Sequence, residues 1–331
     1  MFNKNTIISI LLALTLALFI IGAYVYFNGD SKYKDIPVFN LLRTDKTEVL
    51  KECDKDSLII FSAAKNFVDD EDIYLACLDS GEIINVTKNA NGNSNPFLSS
   101  DGNNVAYFAP RTFSTQENDW EVWVAGSDGS DPKNISDNVF ADTFPTISPD
   151  GNRVAFSTNR DGLSWNIYVM DIDGSNQQKL TGSVVGSYPT FSPDGSKIVY
   201  VTGDLSDNLH IAITDMINGT TKILTKSGPT NSAPSISPDG KKIAFESNRS
   251  GNYEIYTMDI DGTNIKKLTD YSEDDGMPNF SPDGTKIIYI STRGGKNGIY
   301  EMRIDGSNNK PAIDTSDFYK IRDASFKGHS F

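Results

Sequence analysis

The chain has 331 residues, enough for one large domain or two ordinary ones with a sizeable core. Its 38% hydrophobic content, with 18 Phe, 14 Tyr and 3 Trp, excludes a disordered chain, and its net charge of −14 disfavours a nucleic-acid surface. Two histidines, His210 and His329, and two cysteines, Cys53 and Cys77, leave little for a His/Cys metal centre or a histidine-based triad.

In chain order, the first feature is an uncharged apolar run at residues 6–27. As a helix it would be about 33 Å long at roughly 1.5 Å per residue, enough to cross a hydrocarbon core of about 30 Å. Tyr24, Tyr26 and Phe27 close it where interfacial aromatics belong. The run is longer than a signal-peptide apolar region and lacks a small-x-small triplet near its end, so it reads as an uncleaved, single-pass signal anchor. A cleaved signal and a buried core helix are the competing readings. The anchor leaves residues 1–5 as a short cytoplasmic end and 28–49 as a linker, and it places the remainder outside the cytoplasm. Secretion after cleavage is the alternative.

Beyond the linker the sequence repeats. Ser-Pro-Asp-Gly begins at Ser148, Ser192, Ser237 and Ser281, and a degenerate Ser-Ser-Asp-Gly begins at Ser99. Six residues past each Asp stands an aromatic: Tyr107, Phe156, Tyr200, Phe245 and Tyr289, with Phe61 in the same slot of a drifted first copy. Each copy predicts a strand ending at the Ser, a Pro-Asp-Gly turn and an alternating second strand. A third strand with Ile-Tyr or a near equivalent follows, then an Asp-Gly hairpin and a fourth strand such as Lys267-Leu268-Thr269. Four strands per roughly 45 residues, six times over, predict an all-β, six-bladed β-propeller of four-stranded blades over residues 50–331. Ala324-Ser325-Phe326 restates only a first strand, so residues 323–331 are expected to complete the first blade and remove the open edges of the ring. Val49 to Cys53 competes for that place.

Ser-Pro-Asp-Gly, then Ile-Ala-Phe, then Ile-Tyr-x-Met-Asp-x-Asp-Gly, then Leu-Thr, resembles the TolB-type six-bladed propeller repeat across about residues 50–331. The resemblance implies a fold more than a function. That family includes the periplasmic partner of a cell-envelope complex, and similar repeats form the gating domains of some oligopeptidases. Residues 28–49 leave no room for the α/β domain that precedes the propeller in TolB proper, and no α/β-hydrolase domain follows it.

Four positions after the strand-two aromatic comes a base in five copies: Lys65, Arg111, Arg160, Arg249 and Arg293, with Asp204 in the fourth. The repeat places them on one rim, where they either receive acidic groups of a partner or pair internally with turn residues such as Asp150, Asp239 or Asp283. The fourth copy also breaks pattern at His210, near Asp204 and Asp207, a candidate ligand or acid/base group or simply a surface residue. The acidic runs Asp69-Asp70-Glu71-Asp72 and Glu273-Asp274-Asp275 offer oxygen ligands for calcium but lack EF-hand spacing, and solvated charge is their default reading. No cofactor is otherwise indicated.

Cys53 and Cys77 align with the ends of strands one and three, about 9–10 Å apart in a regular sheet, whereas a disulfide needs Cα atoms within about 7 Å. Their pairing stays open. The functional expectation is a membrane-anchored, monomeric scaffold that binds an envelope protein or peptide without catalysis. The alternative is a carbohydrate- or small-anion-processing enzyme, or a ligand-binding protein, with carboxylates at the mouth of the channel.

Overall fold

The computed structural model describes residues 53–67, 71–88, 92–111, 119–162, 164–181, 185–203, 209–225 and 228–328. The apolar run, the linker, Asp69, Asp70, Asp204, Asp207 and His329 lie outside them. Among the described residues no helix is long and apolar enough to cross a membrane.

Six four-stranded antiparallel sheets make six blades. The first takes β1 (Leu58–Ala64), β2 (Asp72–Cys77) and β3 (Ile83–Asn85), and its innermost strand is the last of the chain, β24 (Lys320–Phe326). The other innermost strands are β4 (Ser94–Leu98), β8 (Asp142–Ile147), β12 (Val185–Phe191), β16 (Asn231–Ile236) and β20 (Asp275–Phe280). These six contact one another in sequence around a central channel. The C-terminal strand therefore closes the ring, starting three residues earlier than the sequence placed it, and it takes the position for which 49–53 competed. Ile59 pairs with Phe326 and Phe61 with Ala324, which leaves neither edge of the first blade's centre unpaired.

The core lies between blades. Val199, Val201 and Ile211 of the fourth blade pack on Ile243, Phe245 and Met258 of the fifth. Ile59, Phe61 and Tyr74 of the first meet Ile288, Ile290 and Ile299 of the sixth. The strand-two aromatics that mark the repeat are among the most deeply buried side chains, and Phe61, Phe156, Phe245 and Tyr289 have no exposed surface. Burying a large apolar side chain contributes about 2 kcal/mol, so each repeat supplies half of two interfaces and is unstable alone.

The turn motif is explained by its hydrogen bonds. Ser148 Oγ donates to Asp150 Oδ1 and accepts from the Arg153 amide at 2.9 Å, and Asp150 Oδ1 accepts the Asn152 amide at 3.1 Å. Ser192 with Asp194, Ser237 with Asp239 and Ser281 with Asp283 repeat this. Ser-Pro-Asp-Gly thus satisfies the polar groups of one tight connection. The Asp-Gly hairpin does a second job. Gly174, at φ 92°, lies against the Ile135 carbonyl of the preceding blade, where a Cβ would collide with backbone. Gly129, Gly262 and Gly306 sit in the same way, so the hairpin glycines also mortar blade to blade.

Candidate functional site at the mouth of the central channel

Strand order gives the disc two unlike faces. Strand-one-to-two turns and strand-three-to-four hairpins emerge on one; strand-two-to-three loops and blade-to-blade connections emerge on the other. The rim bases end strand two and stand at the second face, away from the Ser-Pro-Asp-Gly turns. Pairing with Asp150, Asp239 or Asp283 is therefore replaced by pairing nearer by. Arg160 binds Asp142 at 3.1 Å, Arg249 binds Asn231 Oδ1 at 2.7 Å and Arg293 binds Asp275 at 3.1 Å, each partner opening the innermost strand of the same blade. Each guanidinium also lies over aromatic rings: Arg160 is 4.7 Å from the Tyr168 centroid, Arg249 is 4.7 Å from Tyr256 and Arg293 is 3.4 Å from Tyr271. Arg111 reaches the fully buried Glu121 at 2.7 Å. Lys65 is the exposed member of the set.

The other singled-out residues disperse. His210 lies on β14 (Leu209–Asp215), opposite Thr202 of the neighbouring strand, and is half-buried. Of the acidic runs, Glu71 binds Lys320 at 2.8 Å and Arg322 at 3.0 Å, Asp72 accepts Thr87 Oγ1 at 2.7 Å, and Asp274 accepts the Tyr253 amide at 2.9 Å. Among the described residues no group of three His, Cys, Asp or Glu is placed to hold a metal ion. Cys53 and Cys77 are joined in a disulfide with Cα atoms 5.9 Å apart. The distance expected from a regular sheet fails because β24 is strand one of that blade. Cys53 belongs instead to the lead-in, which a short 3-10 turn at Lys55–Ser57 folds beside the end of β2.

The channel mouth was not legible from the motifs singled out. Each innermost strand bulges near its middle, and in five blades the bulge is an x-Pro pair: Asn95-Pro96, Phe144-Pro145, Tyr188-Pro189, Ala233-Pro234 and Met277-Pro278. Proline lacks the ladder N–H, so pairing must break there. The residue before it has φ between 47° and 52° in all five, a left-handed conformation costly for a non-glycine residue. In the sixth slot Ala324 replaces proline and Asp323 stands before it. These residues line a cavity of about 110 Å³ at the mouth. The signal was present in the sequence, since each of these prolines lies three residues before the Ser of its turn, and it is read as strand content unless the bulge is known.

Chemically the mouth is a collar of mixed polar and apolar surface with one acid. Phe144 and Tyr188 stack with centroids 3.9 Å apart. Asp323 is 6% exposed; its Oδ2 accepts the Ser62 hydroxyl at 2.8 Å and the Asn95 amide at 3.1 Å, while its Oδ1 has no partner. Burial pushes the Asp323 carboxyl up to about 7. Glu246, held by Ser232 and the Met277 amide, is likewise raised by burial. Glycoside hydrolysis through carboxylates needs a facing pair, and Asp323 is the one carboxylate among the described residues lining the two channel cavities.

The TolB β-propeller domain model matches residues 58–230 and 163–331. The chain belongs to the TolB β-propeller family. No curated protein sequence matches it. Among solved structures it is similar to TolB of Acinetobacter baumannii, at 23% identity over 86% of this chain and 70% of that one, with a TM-score of 0.67. A protein of Agrobacterium tumefaciens assigned to TolB gives 22% identity, 78% and 88% coverage and a TM-score of 0.64. An oligogalacturonate lyase in complex with manganese gives 15%, 80%, 89% and 0.53. At these identities the likeness is one of fold.

Proposed function

We propose that this chain is an extracytoplasmic scaffold of the cell envelope, tethered through residues 6–27, whose disc grips a protein or peptide by the face that carries the channel mouth. The observation that carries this reading is the uneven distribution of exposed aromatics. Phe67, Phe140 and Tyr319, at 79%, 41% and 50% exposure, all stand on loops of that face, and Phe67 and Tyr319 meet edge to face at 5.5 Å. Exposed aromatics beside a cleft are the residues that anchor protein partners. The rim arginines work beneath this surface, as staples that hold its loops, and Lys65 is the base left facing outward.

Crosslinking in native cells followed by affinity capture and mass spectrometry tests the reading. One envelope protein should be recovered with the wild-type chain, lost with Phe140→Ser plus Tyr319→Ser, and retained with Lys241→Glu on the opposite face. Capture that ignores the aromatic pair, or no reproducible partner, would sink it.

A further inference from the structure

We infer that a cleft on the sixth blade is a receptor for a carboxylate, either an acidic side chain of a docked peptide or a small free acid. The inference does not rest on the scaffold reading and holds whether or not the disc also grips a protein. It starts from a staple that the repeat builds where strand three begins. In the second blade Glu121 accepts the Ser136 hydroxyl, the Asn138 amide at 3.2 Å and Arg111 at 2.7 Å. In the fifth, Glu254 accepts the Thr269 hydroxyl at 2.6 Å and the Tyr271 amide at 2.9 Å, with Lys267 at 3.4 Å. The first blade keeps a shorter version, in which Asp72 accepts the Thr87 hydroxyl at 2.7 Å. Each acid ties the start of strand three to the chain that leaves strand four.

The sixth blade lacks the acid. Gly298, the first residue of β22 (Gly298–Arg303), stands opposite Ser291 as Glu254 stands opposite Ser247, so it holds the place of the glutamate. Ile313 takes the place of Thr269, and Thr315 that of Tyr271. Where the side chain is missing there is an open cleft of about 580 Å³, lined by Arg293, Lys296, Gly298, Tyr300 and Thr315 among others. A Cβ on Gly298 would lie 3.7 Å from Thr315 Oγ1 and 3.3 Å from the Tyr300 ring. Thr315 is partly exposed, and among the described residues neither its hydroxyl nor its amide makes a hydrogen bond.

The class of ligand follows from what the cleft offers. Thr315 brings two unused donors, and Lys296 an exposed ammonium that pairs with no acid among the described residues. Arg293 adds its charge from behind, where it is held on Asp275. Asp314, the one acid of the lining, accepts the Ser316 amide at 2.9 Å. A cation would therefore meet donors and an ammonium, whereas a carboxylate completes the set that Glu121 and Glu254 complete elsewhere. Pro311, Ile299 and Ile313 supply apolar wall for a short aliphatic stem. The net charge of −14 opposes long-range steering of anions, so affinity is local and on the order of 1 mM.

Ligand-observed NMR titration of the full chain in detergent tests the site with butyrate, with the doubly blocked amino acid N-acetyl-glutamate methylamide, and with neutral butyramide. Butyrate should bind and butyramide should not. Binding of butyrate alone would identify a free acid, and binding of the blocked glutamate would identify a peptide side chain. Thr315→Val, which removes the hydroxyl and keeps the shape, should weaken binding about tenfold. Gly298→Glu returns the repeat's own carboxylate to the slot, so it should abolish butyrate binding and raise the melting temperature. Absence of carboxylate binding, equal binding of butyramide, unchanged affinity in Thr315→Val, or butyrate binding that survives Gly298→Glu would overturn the assignment.

Discussion

At the scale of single residues, the carboxylates of this disc divide by what surrounds them. The turn residues Asp150, Asp194 and Asp239 are held below the usual carboxylate range, first by the hydroxyls of Ser148, Ser192 and Ser237, and Asp194 is lowered to about 2. Burial pushes Glu121 up to about 7, against the donors Ser136 and Asn138 and the charge of Arg111, with Asp142 adding to the rise. Asp323 is raised to a similar value. The two groups act on stability in opposite directions. A raised carboxyl binds its proton more tightly in the folded chain, so its penalty is full above pH 7 and fades as pH falls towards the unfolded value near 4. The lowered turn residues stabilise above pH 4 and lose that contribution as pH falls towards 2. The melting temperature is therefore expected to rise from pH 8 to about pH 5 and to drop below pH 4, as read by calorimetry. Glu121→Gln should flatten the upper limb, and an unchanged slope would show that Glu121 titrates normally. Arg160 and Arg293 face fully buried aspartates, and leaving such a charge unpaired costs about 3 kcal/mol. Arg160→Ala and Arg293→Ala should each lose about that much in denaturant titration, with Lys65→Ala near zero.

At the scale of elements, two devices hold the first blade. The disulfide spans 24 residues, and a loop of that size corresponds to about 3 kcal/mol by the chain-entropy account. Cys53→Ser with Cys77→Ser should lower stability by about that amount without loss of fold, because β1 remains paired on both sides. Removing residues 320–331 takes away the innermost strand and bares the edge of β1 in the ring. That variant should aggregate or run as oligomers in size-exclusion chromatography, and a monomeric, folded product would show that the ring closes without β24. Strands, hairpins and turns were readable because their residues answer to local geometry, Gly for positive φ and alternation for a two-sided strand. The bulges were not, since Pro189 and Pro234 look like ordinary strand breakers until the pairing register on both sides is known.

At the scale of the whole molecule, the disulfide doubles as a reporter of compartment. Alkylating cells before and after reduction, followed by mass spectrometry, should find Cys53 and Cys77 protected without reductant, as persists outside the cytoplasm. Free thiols in intact cells would contradict the extracytoplasmic placement. The ring also decides what its residues can be used for. Arg160, Arg249 and Arg293 look like a cationic rim in the repeat, yet each closes on its own blade, because the innermost strand of that blade starts at the same face and opens with an acid or amide within reach.

The sequence alone determined the number of blades, their four strands, the terminal strand that completes the first, and the family. Each of these is written in a period of about 45 residues, the terminal strand as the partial copy that the ring needs to close. Only the tertiary structure decided what the arginines pair with, that Cys53 meets Cys77, and that Asp323 is buried beside the channel on Ser62 and Asn95. Those facts depend on side-chain geometry that the repeat does not encode: Arg160 meets Asp142 across the inner strands of its own blade, Cys53 reaches Cys77 through an irregular lead-in, and Ser62 holds Asp323 although 261 positions separate them.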